Sequence, residues 1–225
     1  MVESEWAHLI DQDVRRTFKE FGPAKQDQLR RILNAYAAHS PHVGYCQGMN
    51  LLVGVLLLVS GGREDECFRA LVAIMEDLGM SGFYREGLPL LQRYLHACNQ
   101  LLAEAVPELL EHLVKEQVDY AMVIQQCLLT TFIDAVPLAT VVMIWDMLIM
   151  EGPQSLLRVT VSFWTGLEEV LSGLRGDSIT KCLKSFARSD HSAESEAHSA
   201  WLGLLLTKHA SRVQIPQHIL TSLRE

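Results

Sequence analysis

The 225-residue sequence lacks the motifs that mark most enzymes with a self-contained active site. It has no GxxxxGKS/T phosphate-binding loop, no HExxH zinc motif and no GxSxG nucleophile motif. The cysteines form no CxxC pair, zinc-ligand pattern or disulfide framework; they are Cys46, Cys67, Cys98, Cys127 and Cys182. These absences exclude the usual forms of a nucleotide-binding loop, a zinc centre and a disulfide scaffold.

An excess of positive charge is also missing. The 19 Lys and Arg residues stand against 27 Asp and Glu residues, for a formal net charge of −8. Nucleic acids and anionic membrane surfaces attract clustered positive charge, so neither is an expected partner. The apolar stretch 121–150 is interrupted by Asp134 and Asp146, which leave only 11 residues between them, against the roughly 18 of a spanning helix. The N-terminal Met-Val-Glu-Ser-Glu does not resemble a signal peptide. We therefore expect a reduced, cytoplasmic protein without a transmembrane segment.

What the sequence does contain is helical periodicity along most of its length. In 29–37 the apolar residues recur at i, i+3, i+4, i+7 and i+8, and similar spacing returns in 67–78, 91–102 and 156–171. Strand alternation is nearly absent. With 49% hydrophobic and 20% charged residues, the composition is that of a globular chain. The sequence predicts an all-α fold of about ten or more short, irregularly packed helices with no significant sheet.

Three isolated candidates for chemistry are weak. His39 and His42 lie three residues apart and could share a metal ion, but a pair at a helix end or in a loop explains them better. Cys46 has no sequence signature that gives it a base, so a small buried residue is the better interpretation. Asp134 and Asp146 lie on separate helical turns and form no recognisable carboxylate pair. The sequence therefore predicts no metal site and no nucleophile.

A first polar cluster occupies residues 10–17, with the sequence Ile-Asp-Gln-Asp-Val-Arg-Arg-Thr. Asp13 and Arg16 are spaced i, i+3, which on a helix favours an ion pair worth a few tenths of a kcal/mol. Taken alone, this cluster is explained by such a pair near the start of a helix.

A second polar cluster, at 44–50, reads Gly-Tyr-Cys-Gln-Gly-Met-Asn and immediately precedes a long apolar run. Gln47 lies between Gly44 and Gly48, and glycines beside a polar residue allow another surface to approach the backbone closely. Taken alone, this cluster is also explained by a turn with a capping amide.

The two clusters are more informative when they are read together with a third segment. The first contains the pattern IxxDxxRT at Ile10, Asp13, Arg16 and Thr17. The second contains YxQGM at Tyr45, Gln47, Gly48 and Met49. The third runs through Phe132, Pro137, Ile144, Trp145, Asp146, Glu151 and Gly152. In this order the three motifs resemble those of the TBC domain, the GTPase-activating domain for Rab GTPases, and the similarity covers roughly residues 9–190.

The resemblance implies a division of labour between two catalytic side chains. Arg16, rather than Arg15, falls on the family's arginine finger, which is supplied in trans to the GTPase. Gln47 falls on the glutamine that orients the attacking water. Asp13 is implied to hold Arg16 in place, and Tyr45 to hold the loop that carries Gln47.

The other motif positions are expected to support this site. They are Ile10, Thr17, Gly48, Trp145 and Asp146. For Trp145 a role purely in the core is an equal alternative. The resemblance further implies a single domain over 1–225, with both catalytic motifs in an N-terminal lobe at 1–120 and a C-terminal helical lobe at 121–225.

The chain departs from the family pattern at a few positions. Met143 stands where members usually have an arginine, and Gln126-Cys127 stands where an aromatic residue is common, so we expect differences in local packing rather than in chemistry. Members also usually carry a Trp-containing helical stretch upstream of the first motif, whereas nine residues precede Ile10 here. Two interpretations stay open: a fragment, or a short member in which Trp6 replaces part of the missing contacts.

The implied partner is a Rab GTPase in its GTP-bound form. GTP and Mg²⁺ would arrive with that partner, so the chain needs no cofactor or metal of its own. Membrane contact would be indirect, through the lipidated Rab, at a location that is cytoplasmic or peripheral to endomembranes. The alternative is a non-catalytic Rab-binding scaffold of the same fold. The presence of both Arg16 and Gln47 favours the active form.

Overall fold

The computed structural model describes residues 5–18, 20–185 and 193–223. These residues form twelve α-helices and no β-strand, so the all-α prediction is confirmed. The first four helices are α1 (Ala7–Val14), α2 (Pro23–His39), α3 (Met49–Val59) and α4 (Glu64–Val72). Helix α4 continues into a π-helical turn at Ala73–Asp77, and a short 3₁₀ helix follows at Met80–Phe83. The remaining helices are α5 (Pro89–Ala105), α6 (Pro107–Lys115), α7 (Tyr120–Leu129), α8 (Leu138–Glu151), α9 (Ser155–Ser172), α10 (Asp177–Ser185), α11 (Ala193–Ala210) and α12 (Gln217–Ser222).

The chain divides into two compact units, Met1–Leu91 and Gln92–Glu225. Both polar clusters lie in the first unit, and the third motif lies in the second. The sequence placed the end of the motif-carrying lobe at residue 120, whereas this division falls within α5. The organisation of 1–225 as a single domain stays a prediction.

Helix α3 forms the core of the first unit. Its residues Met49–Leu57 are all buried, as expected for a helix that is apolar on every side. Helices α1, α2 and α4 pack against it. Gly54 allows the closest approach, because a Cβ atom there would overlap the ring of Phe18 and lie 3.2 Å from Thr17 Cγ2. The segment after α1 is therefore held directly against the middle of α3.

The second unit has a core of aromatic side chains. The rings of Phe132 and Phe163 meet edge to face with centroids 5.9 Å apart, and Trp164 contacts Phe163 and Tyr120 in the same way. Helix α11 packs on α8 and α9. A Cβ atom on Gly203 of α11 would lie 2.7 Å from the sulfur of Met143, so the residue that departs from the family pattern lies at this helix contact.

A strained turn joins α7 to α8. Thr131 and Phe132 have φ values of +46° and +68°, a left-handed conformation that is costly for residues other than glycine. Both are fully buried, and the indole N–H of Trp145 donates to Thr131 Oγ1 at 2.9 Å. Trp145 therefore fastens α8 to the turn that precedes it.

None of the helices in the described part of the chain combines the length and the hydropathy that crossing a bilayer requires.

Replacing Trp145 should test this fastening role. Trp145→Ala removes a side chain that is 7% exposed and breaks its hydrogen bond, so we expect the free energy of unfolding to fall by about 3–5 kcal/mol. Thr131→Val leaves the indole N–H without its acceptor and should cost about 1–3 kcal/mol. Urea unfolding followed by circular dichroism measures both losses. An unchanged stability of Trp145→Ala would contradict the core assignment.

The buried cysteines make a second prediction, on pH dependence. Burial raises the pKa of Cys67, Cys98 and Cys127 to about 12 in each case. The folded state therefore holds these protons more tightly than the unfolded chain, whose thiols ionise near pH ~8.5. The resulting stabilisation is complete below that pH and is lost as the pH rises toward about 12.

Two measurements check this. At pH 8 a thiol reagent should label the half-buried Cys46 and Cys182 before the other three, which react only on unfolding. Urea midpoints recorded under reducing conditions should decrease steadily from pH 8 to pH 11. Equal, rapid labelling of all five thiols in the native protein would show that the burial assignment is wrong.

Candidate functional site

Arg16 lies two residues after the last residue of α1, directly after the C-cap Arg15. Ile10 and Val14 on the inner face of that helix are completely buried and fix its position. The backbone amide of Arg16 donates to the carbonyl of Asp13 at 3.1 Å, so the chain makes one tight turn there. The Arg16 side chain is 61% exposed, whereas Asp13 beside it is only 7% exposed. The exposed guanidinium of Arg16 is thus held at the surface by the buried carboxylate of Asp13.

Asp13 has a strong donor on each carboxylate oxygen. Arg16 Nε and Nη2 donate to Oδ1 at 2.9 and 2.5 Å, and the hydroxyl of Tyr45 donates to Oδ2 at 2.5 Å. A buried carboxylate is costly unless its oxygens are paired in this way. The Asp13–Arg16 pair was predicted from spacing; Tyr45 reaches the same carboxylate from 32 residues away.

The arrangement leaves most of the guanidinium available. Arginine carries five N–H donors, and Asp13 uses one on Nε and one on Nη2. The three remaining donors have no partner among the residues that the structure describes. A planar group of this kind can make two parallel hydrogen bonds to a phosphate.

Gln47 occupies the tip of the loop that leads into α3. Its side chain is exposed, and its amide makes no hydrogen bond to any residue within 5–18, 20–185 or 193–223. Gly48 follows with φ +107°, a conformation that other residues rarely adopt, and is the N-cap residue directly before α3. The loop is therefore fixed behind Gln47 while the amide itself remains free.

Gly44 lies against a side chain of the chain itself. The sequence offered a turn or a close approach by another surface, and in the structure the indole of Trp6 occupies the space in which a Cβ atom of Gly44 would lie. Trp6 therefore contacts the start of the Gln47 loop from the residue before α1. That it replaces contacts of an upstream segment stays a prediction.

Asn50 joins the two clusters and was not among the predicted site residues. Its amide nitrogen donates to Thr17 Oγ1 at 3.0 Å, and its amide oxygen accepts from the backbone N–H of Gly48 at 3.1 Å. The side chain is 5% exposed. The signal was visible, because Asn50 is the one polar side chain in the apolar helix Met49–Val59.

Burial sets the protonation of two groups behind the loop. It raises the pKa of Tyr45 far above its ordinary value, and the negative charge of Asp13 acts in the same direction, so Tyr45 remains a neutral donor. Burial and Asp13 also raise the pKa of Cys46. A raised thiol pKa disfavours the thiolate that a nucleophile requires. Cys46 is half-buried, whereas the sequence predicted a buried residue.

The remaining sequence candidates lie elsewhere. Trp145 and Asp146 belong to the second unit, where Trp145 is buried on α8 and Asp146 is exposed, and their supporting role stays a prediction. His39 lies 3.0 Å from a carboxylate oxygen of Glu76, and His42 lies beside Ser40. Within the described residues, no group of three or more His, Cys, Asp or Glu side chains could hold a metal ion.

Comparisons with known sequences agree with the three motifs. The model of the Rab-GTPase-TBC domain matches residues 1–171. GTPase-activating protein GYP5 of Saccharomyces cerevisiae is 33% identical over 186 residues, which are 82% of this chain and 21% of that protein. Human TBC1 domain family member 2A is 32% identical over 190 residues, which are 81% of this chain and 20% of that protein. The chain thus spans about a fifth of the length of these curated relatives.

Solved structures extend the similarity to the fold. The Chlamydomonas flagellar RabGAP TBC domain superposes with a TM-score of 0.74 at 26% identity, covering 92% of this chain and 67% of that one. The Ypt/Rab-GAP domain of Gyp1p also gives 0.74, at 19% identity, covering 97% of this chain and 74% of that one. Since the family model matches more than half of the chain, the chain belongs to the Rab-GTPase-TBC domain family.

Proposed function

We propose that this chain stimulates GTP hydrolysis by a Rab GTPase, with Arg16 and Gln47 acting in trans in the active site of the partner. One observation carries the proposal: two exposed polar side chains, Arg16 and Gln47, extend from a single buried hydrogen-bonded network. Family membership supports the class of partner, because related proteins are described as GTPase-activating proteins and RabGAP domains.

Arg16 supplies positive charge where the reaction develops negative charge. Transfer of the γ-phosphoryl group to water spreads charge over the transferring oxygens, and an arginine supplied by an activator accelerates it by about 10³–10⁵-fold. Asp13 leaves three guanidinium donors free while it fixes the direction of the side chain. The arginine is therefore oriented before the partner arrives, which reduces the entropic cost of binding.

Gln47 orients the attacking water. An amide can accept a hydrogen bond from that water and donate another to a phosphate oxygen, and it remains neutral as it does so. Its free amide and the fixed backbone at Gly48 suit this task. GTP and Mg²⁺ are brought by the GTP-bound partner as substrate, and a lipidated Rab would bring the chain to endomembranes from the cytoplasm.

A hydrolysis screen tests the proposed function directly. The chain is added to a panel of GTP-loaded Rab GTPases, and phosphate release is followed under single-turnover conditions. At least one Rab should be accelerated by orders of magnitude. Co-elution of the chain with a Rab separates an activator from a non-catalytic scaffold. A scaffold should bind the Rab equally with GDP alone and with GDP plus aluminium fluoride, whereas an activator should bind the complex with aluminium fluoride, a transition-state mimic, more tightly.

Substitution of Arg16 should abolish the stimulation. Arg16→Lys keeps the charge but loses the planar fork, and Arg16→Ala loses both, so each should lower phosphate release by about 10³-fold or more. Because Asp13 Oδ1 loses its donor while Oδ2 keeps the bond from Tyr45, the free energy of unfolding should fall by only about 1–3 kcal/mol. A melting curve of each variant then shows that the lost stimulation is not caused by unfolding.

Arg15 provides the matched control for Arg16. It is the adjacent exposed arginine and forms no ion pair with the residues that the structure describes. Arg15→Ala should retain most of the activity. Loss of activity in Arg15→Ala together with full activity in Arg16→Ala would show that Arg15, not Arg16, has the catalytic role.

Gln47 makes the sharpest distinction from an activator that supplies only arginine. In a Ras-type mechanism the GTPase orients the water with its own glutamine. If Gln47 does this work, a Rab whose own glutamine is changed to alanine should still be stimulated by the wild-type chain. Gln47→Ala should fail on both forms of the Rab.

The measurement is single-turnover phosphate release for the four combinations of wild-type and variant proteins. Gln12→Ala, on the exposed face of α1, serves as a control for removal of a surface amide. Full activity of Gln47→Ala on wild-type Rab would leave Gln47 as a structural turn residue.

A further inference from the structure

Two buried routes connect the turn that carries Arg16 with the loop that carries Gln47. The first runs from the Asp13 carboxylate to the hydroxyl of Tyr45. The second runs through Thr17 and Asn50 and ends at the backbone of Gly48. Both routes start at Asp13, the first at its carboxylate and the second at its carbonyl.

The hydrogen bonds of the second route can run in only one direction. A backbone N–H only donates, so Gly48 requires the oxygen of the Asn50 amide and turns the NH₂ group toward Thr17. The Thr17 hydroxyl therefore accepts from Asn50 and gives its own proton to the carbonyl of Asp13, at 2.8 Å. A flipped amide would set two donors against each other at Gly48.

The three residues of this hydrogen-bonded route are largely shielded from solvent. Counted as whole residues, backbone included, Asp13, Thr17 and Asn50 are 5%, 8% and 5% exposed. A buried amide that loses its partner keeps the full free-energy cost of desolvation. Displacement of the Gln47 loop would break the hydrogen bonds of Asn50 and is therefore unfavourable. The hydroxyl of Tyr45 lies 3.4 Å from Asn50 Oδ1, and this contact brings the two routes together at the loop as well as at Asp13.

We propose that Asn50 is a positioning residue that, with Thr17, sets Arg16 and Gln47 in one fixed geometry. This inference rests on the proposed function. Arg16 follows Asp13 by one turn of backbone, and Gln47 directly precedes Gly48. Each end of the hydrogen-bonded route from Asp13 to Gly48 therefore lies next to a reacting side chain. Loss of the second route leaves the Gln47 loop attached to Asp13 only through Tyr45, so the loop can shift relative to Arg16. Small misplacements of this kind cost about 10²-fold in rate.

The experiment separates kcat from KM for the cognate Rab. Asn50→Ala and Thr17→Val each break the hydrogen-bonded route from Asp13 to Gly48. Each should lower kcat by about 10- to 100-fold with KM changed by less than about 2-fold. Thr17→Ser keeps the hydroxyl and should retain nearly full activity. The double variant should be no slower than the slower single variant, because both substitutions break the same connection.

Two matched controls measure the effect of general destabilisation. Thr160→Val removes a buried hydroxyl that donates to Leu156 O in α9, and Asn34→Ala removes an amide that donates to Arg30 O in α2. Both should keep kcat even where the melting temperature falls. An unchanged kcat in Asn50→Ala, a loss matched by the controls, or multiplicative losses in the double variant would overturn the proposal.

A binding-independent measurement keeps this inference distinct from the proposed function. In ¹H–¹⁵N NMR spectra of the free chain, Asn50→Ala should shift the Arg16 Nε–H signal, which is identified by its absence in Arg16→Lys. If no Rab is stimulated by the wild-type chain, the proposed function fails while this shift still reports the connection. If a Rab is stimulated and neither kcat nor the Arg16 signal responds to Asn50→Ala, the positioning role alone is rejected.

Discussion

The buried carboxylate of Asp13 is the group on which the candidate site depends. It holds Arg16 through one oxygen and Tyr45 through the other, while its backbone carbonyl accepts from Thr17. A carboxylate withdrawn from water needs these donors, and the donors come from two segments that are distant in sequence. Burial of Asp13 therefore requires that the loop of Gln47, which carries Tyr45, lies at the end of α1 in the folded first unit.

The rest of the first unit makes that burial possible. Helix α3 is apolar on every side and is buried by α1, α2 and α4. Gly54 removes the side chain that would separate α3 from Thr17, and Gly48 supplies the backbone angle that starts α3 directly after Gln47. The single polar residue of this helix, Asn50, is tolerated in the core because both ends of its amide are hydrogen-bonded, the oxygen to the Gly48 N–H and the nitrogen to the Thr17 hydroxyl. Rigid packing behind the site leaves Arg16 and Gln47 as the parts that face solvent.

In the second unit, Trp145 of the third motif has a structural role in the core. Trp145 packs in a core and donates to Thr131, where the backbone is strained, so its burial is sufficient to explain its presence. Met143, which departs from the family pattern, contacts α11 at Gly203. That the departure affects packing rather than chemistry stays a prediction. The segments that match this chain make up only about a fifth of the length of the curated relatives.

The sequence alone determined the all-α fold, the family and the identity of the paired residues Asp13 and Arg16, because helical periodicity and i, i+3 spacing are local properties. It also placed Gln47 before an apolar helix. Only the tertiary structure decided that Tyr45 reaches Asp13, that Trp6 fills the space beside Gly44, and that Asn50 connects the two clusters. These contacts join residues far apart along the chain, and their partners are fixed by the packing of α1 against α3. Spacing within a motif carries no information about such contacts, because they arise only when buried polar groups must find donors and acceptors in the folded core.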